Sequence, residues 1–186
     1  PRGWFAGDEE ELPGETPADY VLRTAVTKLM DGIAARNELD NPCMDAPVLA
    51  ADTVVSLGEK ILGKPRDLEE AARFMRELSG RTHEVRTAVA VGRSREDYRA
   101  LVVLSRVTMR PISEEEIGRY VMTDEPYDKA GGYGIQGLAG LFVQSVAGSY
   151  TGIMGLPVCE AAELLKSYGA PAPALFQPMP TSSTSK

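Results

Sequence analysis

Apolar residues recur every four positions near the start of the chain, and this spacing predicts a helix. Thr16 and Pro17 supply a capping hydroxyl and a proline suited to the first helical position. The helix should therefore run from this cap to about Asn37. Its buried face should carry the four spaced residues Val21, Ala25, Leu29 and Ile33.

Runs of apolar and β-branched residues predict the strands. "VLAADTVVSL" at 48–57 is nearly continuously apolar, as expected of a buried central strand, and a short edge strand should follow the turn at "GEK". "THEVRTAVAVG" at 82–92 and "YRALVVLSRVTMR" at 98–110 should form an antiparallel hairpin. "GLFVQSV" at 140–146 should form another strand, followed by a glycine-rich connection at 148–157.

Capping residues predict further helices. Asp67 with Glu70, and Ser113 with Glu116, have the spacing of a capping box, and a proline opens the last helix. These helices are expected over 67–80, 113–121 and 157–169. Strands and helices together predict an α/β fold, with a mixed sheet flanked by helices.

Length and composition fit one domain. The chain has 186 residues, of which 43% are hydrophobic, enough to bury one sizeable core. We predict this domain over residues 1–169. Residues 170–186 are rich in Pro, Ala, Ser and Thr without periodicity, which predicts a disordered tail.

Charge and cysteine usage narrow the function classes. A net charge of −7 and a pI near 4.9 argue against polymeric nucleic acid as a partner. No apolar run is long enough for a membrane span. Cys43 and Cys159 form no metal or redox motif, which suits a reducing compartment. We therefore expect a soluble, cytoplasmic protein with no membrane partner.

Three polar residues are candidates for chemistry. Asp52 interrupts the apolar run at 48–57, where a buried carboxylate needs compensation. It either caps a neighbouring loop or acts as a general base or metal ligand in a cleft. Lys64, in "GKP", is either a phosphate-binding cation or a solvated turn lysine. His83, the only histidine, is expected to be structural.

Five segments occur together, in order: "ADTVV" at 51–55, "GKP" at 63–65, "LSGRTHEVRTAV" at 78–89, "DKAGGYGIQG" at 128–137 and "GLP" at 155–157. This combination closely resembles the Maf family of nucleoside triphosphate pyrophosphatases. The resemblance implies an elongated sheet similar to that of the inosine triphosphate pyrophosphatases. It also implies hydrolysis of a nucleoside triphosphate to the monophosphate and pyrophosphate, assisted by Mg²⁺ or Mn²⁺, and a possible homodimer.

The resemblance also implies roles for residues. Asp52 matches the proton-accepting aspartate. Two lysines, Lys28 and Lys64, would neutralise phosphate oxygens. Thr53 and Gln136 match the group acting on dTTP and UTP, and Gln136 offers a base edge both a donor and an acceptor. The remaining predicted substrate-binding residues are Glu15, Asp128 and Lys129, and the glycines of 128–137 should let the backbone approach the nucleotide.

One departure leaves alternatives open. The family begins with a strand leading into Ser-x-Ser-Pro-Arg-Arg, which holds the phosphates, and this chain lacks that segment. The chain is either a fragment of a complete enzyme or a protein with weakened phosphate binding. The alternative function is a catalytically weak or inactive nucleotide-binding regulator of cell division. A non-enzymatic interaction domain is a third reading, against which the retention of Asp52, Lys64 and Gln136 argues.

Overall fold

A computed structural model describes residues 10–40 and 42–170. The strands in these ranges are β1 (Val48–Leu57), β2 (Lys60–Leu62), β3 (Thr82–Gly92), β4 (Tyr98–Met109) and β5 (Val143–Ala147). The α-helices are α1 (Pro17–Asn37), α2 (Leu68–Leu78), α3 (Glu114–Tyr120), α4 (Tyr150–Ile153) and α5 (Val158–Ser167). The first helix thus begins and ends as predicted.

The strands form one sheet in the order β2-β1-β3-β4-β5, and every pair in the described ranges is antiparallel. Helices cover both faces, so the predicted α/β class with a helix-flanked sheet is confirmed, whereas the predicted mixture of parallel and antiparallel pairs is not seen in these ranges. The predicted hairpin is also confirmed, because β3 and β4 pair from Thr82 with Thr108 to Gly92 with Tyr98.

Alternation along β3 separates two apolar layers, since successive strand residues point to opposite faces. Ala88 and Ala90 pack with α1 on one face. On the other face, Val85 belongs to a large cluster with α2 and α3, while Val89 and Val91 pack with α5. This second face therefore holds two clusters, one toward each end of the strand.

The predicted strand at 48–57 is confirmed in its bounds, but in the described part of the chain it is paired on both sides only near its end and is not fully buried along its length. Among the described residues, β2 pairs only with Val55–Leu57, and the preceding part of β1 pairs only with β3. Full burial is confined to Val54, Val55 and Ser56. The edge strand is short, and Pro65, three residues after its end, has no N–H with which to continue the ladder. One side of β1 near Asp52 is thereby left open to a cavity.

Two predictions near the end of the domain need correction. The predicted strand at 140–146 begins only at Val143, because Leu138–Phe142 forms a 3₁₀ turn. The predicted connection at 148–157 contains the short helix α4, whose N-cap Ser149 accepts a hydrogen bond from the Gly152 N–H. Short segments of this kind do not show by their sequence whether they form a strand, a helical turn or a loop, and contacts with the rest of the fold decide among these conformations.

The predicted helix caps are confirmed with one exception. Ser113 and Glu116 form both halves of a capping box on α3. On α2, the Asp67 carboxylate accepts from the Glu70 N–H, but the Glu70 carboxylate accepts from the Arg66 N–H instead of completing the box. The second half of that predicted box is therefore wrong, because Arg66 also offers Glu70 a charged guanidinium, 2.9 Å from Nε to Oε2.

Other sequence-based expectations concern the surface and the ends. No helix in residues 10–40 or 42–170 is long and apolar enough to cross a membrane. Cys43 and Cys159 are exposed, free thiols. The predicted disordered tail lies outside the described residues except for Ala170, and the predicted domain boundaries remain predictions.

Candidate active site

Two adjoining cavities open beside β1 in the described part of the chain. The large cavity, of about 370 Å³, extends toward residues 128–137 and 153–155, and the small cavity, of about 220 Å³, extends toward α1. They share the lining residues Asp52, Thr53, Lys64 and Ala130. The fold thus brings together residues from three of the five sequence segments at one junction.

Asp52 lies at this junction and is held by α1. Its Oδ1 accepts a hydrogen bond from Lys28 Nζ and its Oδ2 one from Thr24 Oγ1, each 2.6 Å long. Only 14% of the Asp52 side chain is exposed. These bonds run to helix side chains, so the structure favours the cleft interpretation of Asp52 over the loop-capping one. Lys28 is its ion-pair partner and lines the small cavity.

Thr24 was missed by the sequence reasoning. It is fully buried, and its hydroxyl lies near two helix carbonyls as well as Asp52. A hydroxyl has one proton, and the 2.6 Å contact with a carboxylate is the shortest of the three. We therefore assign its proton to Asp52. The only sequence signal for this role is that Thr24 and Lys28 are four residues apart on one helix face.

Thr53 points to the opposite side of β1 from Asp52. Its Oγ1 lies 2.9 Å from Thr87 Oγ1, directly opposite on β3. Thr87 is buried and donates to the Gly152 carbonyl at 2.7 Å. The Thr53 hydroxyl is therefore fixed by a buried partner while it lines both cavities.

Asp128 and Lys129 form an ion pair on the wall of the large cavity. Lys129 Nζ lies 2.6 Å from Asp128 Oδ1. This hydrogen bond lowers the pKa of the Asp128 carboxyl, and the positive charge of Lys64 lowers it further. Lys64 is exposed and lines both cavities, so three of the predicted charged residues surround one space.

Gln136 is exposed on the loop at 134–139 and lines the large cavity. The sequence reasoning missed the residue that holds this loop, Glu125. Its carboxylate accepts backbone N–H bonds from Leu138 at 2.6 Å, Ala139 at 3.0 Å and Gly134 at 3.3 Å. Burial alone would raise the pKa of Glu125, but these bonds and one from Tyr120 hold it below its ordinary value.

The glycines in 128–137 make room for the chain's own side chains. A Cβ on Gly137 would collide with the Glu125 carboxylate, and one on Gly134 would lie 2.8 Å from Lys129 Cε. Gly131 has a φ of +72°, and its Cβ would lie 2.8 Å from Val55 Cγ1. The predicted backbone approach to a nucleotide remains a prediction, and internal packing already requires these glycines.

Glu15 is not among the described residues that line either cavity. Arg23 Nε lies 2.6 Å from Glu15 Oε1, and this hydrogen bond lowers the pKa of Glu15 although partial burial opposes it. The Arg23 guanidinium also lies 5.5 Å from the ring centre of Tyr20, which lines the small cavity. Glu15 thus contacts a residue that packs against the cavity-lining Tyr20, and its predicted contact with substrate remains a prediction.

His83 is buried beneath the large cavity. Its Nε2 lies 2.7 Å from the hydroxyl of Tyr133, which lines the cavity, and burial lowers the pKa of His83 to about 4. His83 itself lines neither cavity in the described ranges. This placement supports the structural interpretation.

The oxygen donors of the site fit a hard cation that arrives with phosphate. Asp52 and Asp128 are the carboxylates lining the large cavity, and no group of three metal-binding side chains occurs in the described residues. Mg²⁺ characteristically uses one or two carboxylates together with substrate phosphates. The donor set is therefore compatible with a cation that the nucleotide helps to hold.

Comparison with known proteins supports the sequence resemblance. The family model for "Maf-like protein" matches residues 5–168. The chain belongs to the Maf-like family. A dTTP/UTP pyrophosphatase of Dechloromonas aromatica is 51% identical over 163 residues, which cover 87% of this chain and 79% of that relative.

Two further relatives match a similar share of this chain. A dTTP/UTP pyrophosphatase of Bordetella parapertussis is 52% identical over 169 residues, covering 89% of this chain and 79% of the relative. That of Escherichia coli K12 is 47% identical over 163 residues, covering 88% and 79%. The residues matched by the family model include all residues of both cavities.

Proposed function

We propose that this Maf-like chain hydrolyses dTTP and UTP, together with modified pyrimidine nucleotides, to the monophosphate and pyrophosphate. The observation that carries the proposal is the position of Asp52, a positioned carboxylate at the junction of two cavities with lysines on both sides. Relatives at about 50% identity are named for this activity.

Asp52 would accept the proton of the attacking water. A carboxylate on a rigid strand can orient and deprotonate water, which contributes about 10² to 10⁴ in rate. Thr24 and Lys28 fix both of its oxygens from the same helix. The Lys28 ammonium has three donors, so it could bind a phosphate oxygen in the small cavity while it holds Asp52, whose oxygens keep lone pairs that could accept from water.

Lys28, Lys64 and Lys129 would hold the triphosphate. Lys28 lines the small cavity, Lys129 the large one, and Lys64 both. Fixed positive charges around a phosphate stabilise the charge that develops on the pyrophosphate leaving group. The triphosphate would then lie across the junction beside Asp52.

A divalent cation, Mg²⁺ or Mn²⁺, would bind through Asp52 or Asp128 together with the phosphates. When bound, it supplies positive charge that offsets the negative charge of the phosphoryl oxygens. The base would lie in the large cavity, where Thr53 and Gln136 offer hydrogen-bonding groups. Uracil and thymine present both donors and acceptors on one edge, which matches an amide.

The test is pyrophosphate release from dTTP, UTP, CTP, GTP and 7-methyl-GTP with Mg²⁺ or Mn²⁺. We expect release from dTTP and UTP by the wild type and a loss of at least about 10² in Asp52→Asn. Asp40→Asn, on an exposed aspartate, is the matched control and should retain full activity. Absence of release from every nucleotide by folded protein would contradict the proposal.

The cellular compartment of the enzyme is inferred from its two cysteines. Two exposed, unpaired thiols suit a reducing compartment, so we expect a cytoplasmic enzyme. The homodimer implied by the resemblance remains a prediction, which light scattering of the purified chain would test.

A further inference from the structure

We propose that Thr87 fixes the direction of the Thr53 hydroxyl, so that Thr53 presents only lone pairs to the large cavity and selects bases that carry a ring N–H. This inference rests on the proposed function and deepens it, because it gives a physical origin for selection of uracil and thymine over cytosine. Thr87 acts here as a positioning residue.

The direction of the hydrogen bonds follows from counting protons. A threonine hydroxyl has one proton and a carbonyl oxygen has none. The 2.7 Å contact between Thr87 Oγ1 and the Gly152 oxygen therefore uses the Thr87 proton. The 2.9 Å contact between Thr53 Oγ1 and Thr87 Oγ1 must then be donated by Thr53. Thr53 has no second proton to offer a ligand.

The surrounding structure holds the Thr53 hydroxyl, the Thr87 hydroxyl and the Gly152 carbonyl in place. Thr53 and Thr87 are directly opposed in the register of β1 and β3, and Thr87 is 1% exposed. Gly152 belongs to the short helix α4, whose cap Ser149 donates its N–H to Ser105 Oγ at 3.0 Å. The accepting carbonyl is thus tied to the sheet, so Thr87 has a fixed partner for its proton.

The chemical consequence concerns one ring nitrogen. N3 of uracil and thymine carries a proton and can donate to the lone pairs of Thr53. N3 of cytosine carries no proton and only accepts hydrogen bonds. A cytosine bound in the same position would therefore bring its N3 lone pair against a lone pair of Thr53 Oγ1. A site that rejects an analogue by leaving polar groups unpaired discriminates more strongly than one that only measures shape.

The test uses UMP and CMP, whose binding does not require catalysis, measured by calorimetry on wild type, Thr87→Val and Thr87→Ser. Valine keeps the shape of threonine but removes the hydroxyl, which frees Thr53 to donate toward N3 of cytosine. We expect the wild type to prefer UMP, and this preference to fall about tenfold in Thr87→Val, as for one reversed hydrogen bond. Thr87→Ser retains the hydroxyl and should retain the preference.

Selectivity in Thr87→Val equal to that of wild type would overturn the inference. A second measurement does not depend on any variant folding: the binding of CMP relative to UMP by the wild type as pH is lowered. Protonation of cytosine at N3 turns it into a donor, so the relative affinity of CMP should rise. A ratio independent of pH would also overturn the inference.

The two proposals can fail separately. Pyrophosphate release from UTP tests the proposed function, whereas the UMP to CMP ratio tests the role of Thr87. Wild type without hydrolysis but with a preference lost in Thr87→Val would refute the first and support the second.

Discussion

Lys28 Nζ lies 2.6 Å from Asp52 Oδ1, so the proposed general base is paired with a cation from the neighbouring helix. The pair joins α1 to β1 at the junction of the two cavities. An ammonium has three N–H donors, so Lys28 can also bind a phosphate oxygen while it stays paired with Asp52. The pair therefore sets the proposed base beside a proposed phosphate-binding cation.

Replacing Lys28 with methionine removes both the partner of Asp52 and a phosphate contact. We expect pyrophosphate release to fall by about ten- to a hundredfold, as for loss of a hydrogen bond to a charged group. The measurement is kcat and KM for UTP. Lys60→Met is the matched control, since Lys60 forms an ion pair of equal length with Glu77 on the surface. Equal kinetics in the two variants would contradict a role for Lys28.

Glu125→Gln should weaken binding of the base. Its carboxylate accepts three backbone N–H bonds from the loop that carries Gln136, and an amide nitrogen facing those N–H groups would repel them. We expect KM for UTP to rise about tenfold with a smaller change in kcat. Glu115→Gln, on an exposed glutamate of α3, should leave both unchanged. A selective loss of kcat would show that the loop does not act through binding.

Gly137→Ala tests the same loop by adding one methyl group. The new Cβ would collide with the Glu125 carboxylate, so the loop or the carboxylate must move. We expect lower thermal stability and a raised KM for UTP. Gly118→Ala is the control, because a Cβ there meets nothing within 4 Å and alanine favours the helix by about 0.5 to 1 kcal/mol. It should stabilise the protein and leave its kinetics unchanged.

His83 should make the free energy of unfolding depend on pH. Burial lowers its pKa to about 4 in the folded state from 6.5, so the unfolded chain binds the proton first as the pH falls. The contribution is fully present above pH 6.5 and is lost as the pH falls toward 4, by up to about 3 kcal/mol.

Urea unfolding of wild type and His83→Gln across this range would measure the effect. Carboxylates contribute to both proteins, so the difference between their pH slopes isolates the histidine. We expect a shallower slope in the variant, since glutamine does not titrate. Parallel slopes would show that His83 is not protonated preferentially in the unfolded state.

The local sequence determined much of the fold. The first helix follows from its cap and four-residue spacing, the hairpin from two β-branched runs, and the capping box at Ser113 from residues three apart. These signals act within a few residues, where the chain's own geometry sets the contacts. The ordered motifs also identified Asp52, Lys64 and Gln136, which the fold gathers around the two cavities.

Tertiary structure decided what these residues can do. The apolar run at 48–57 gave the bounds of β1 but not its pairing or burial, and β5 begins three residues later than its apolar run, because contacts with neighbouring elements decide these features. The bond from Thr24 to Asp52 joins residues 28 positions apart, and Thr87 reaches Gly152 across 65. The direction of a hydrogen bond depends on every donor and acceptor in reach. Only the folded chain brings those groups together, so only the tertiary structure determines which lone pairs and protons face the cavity.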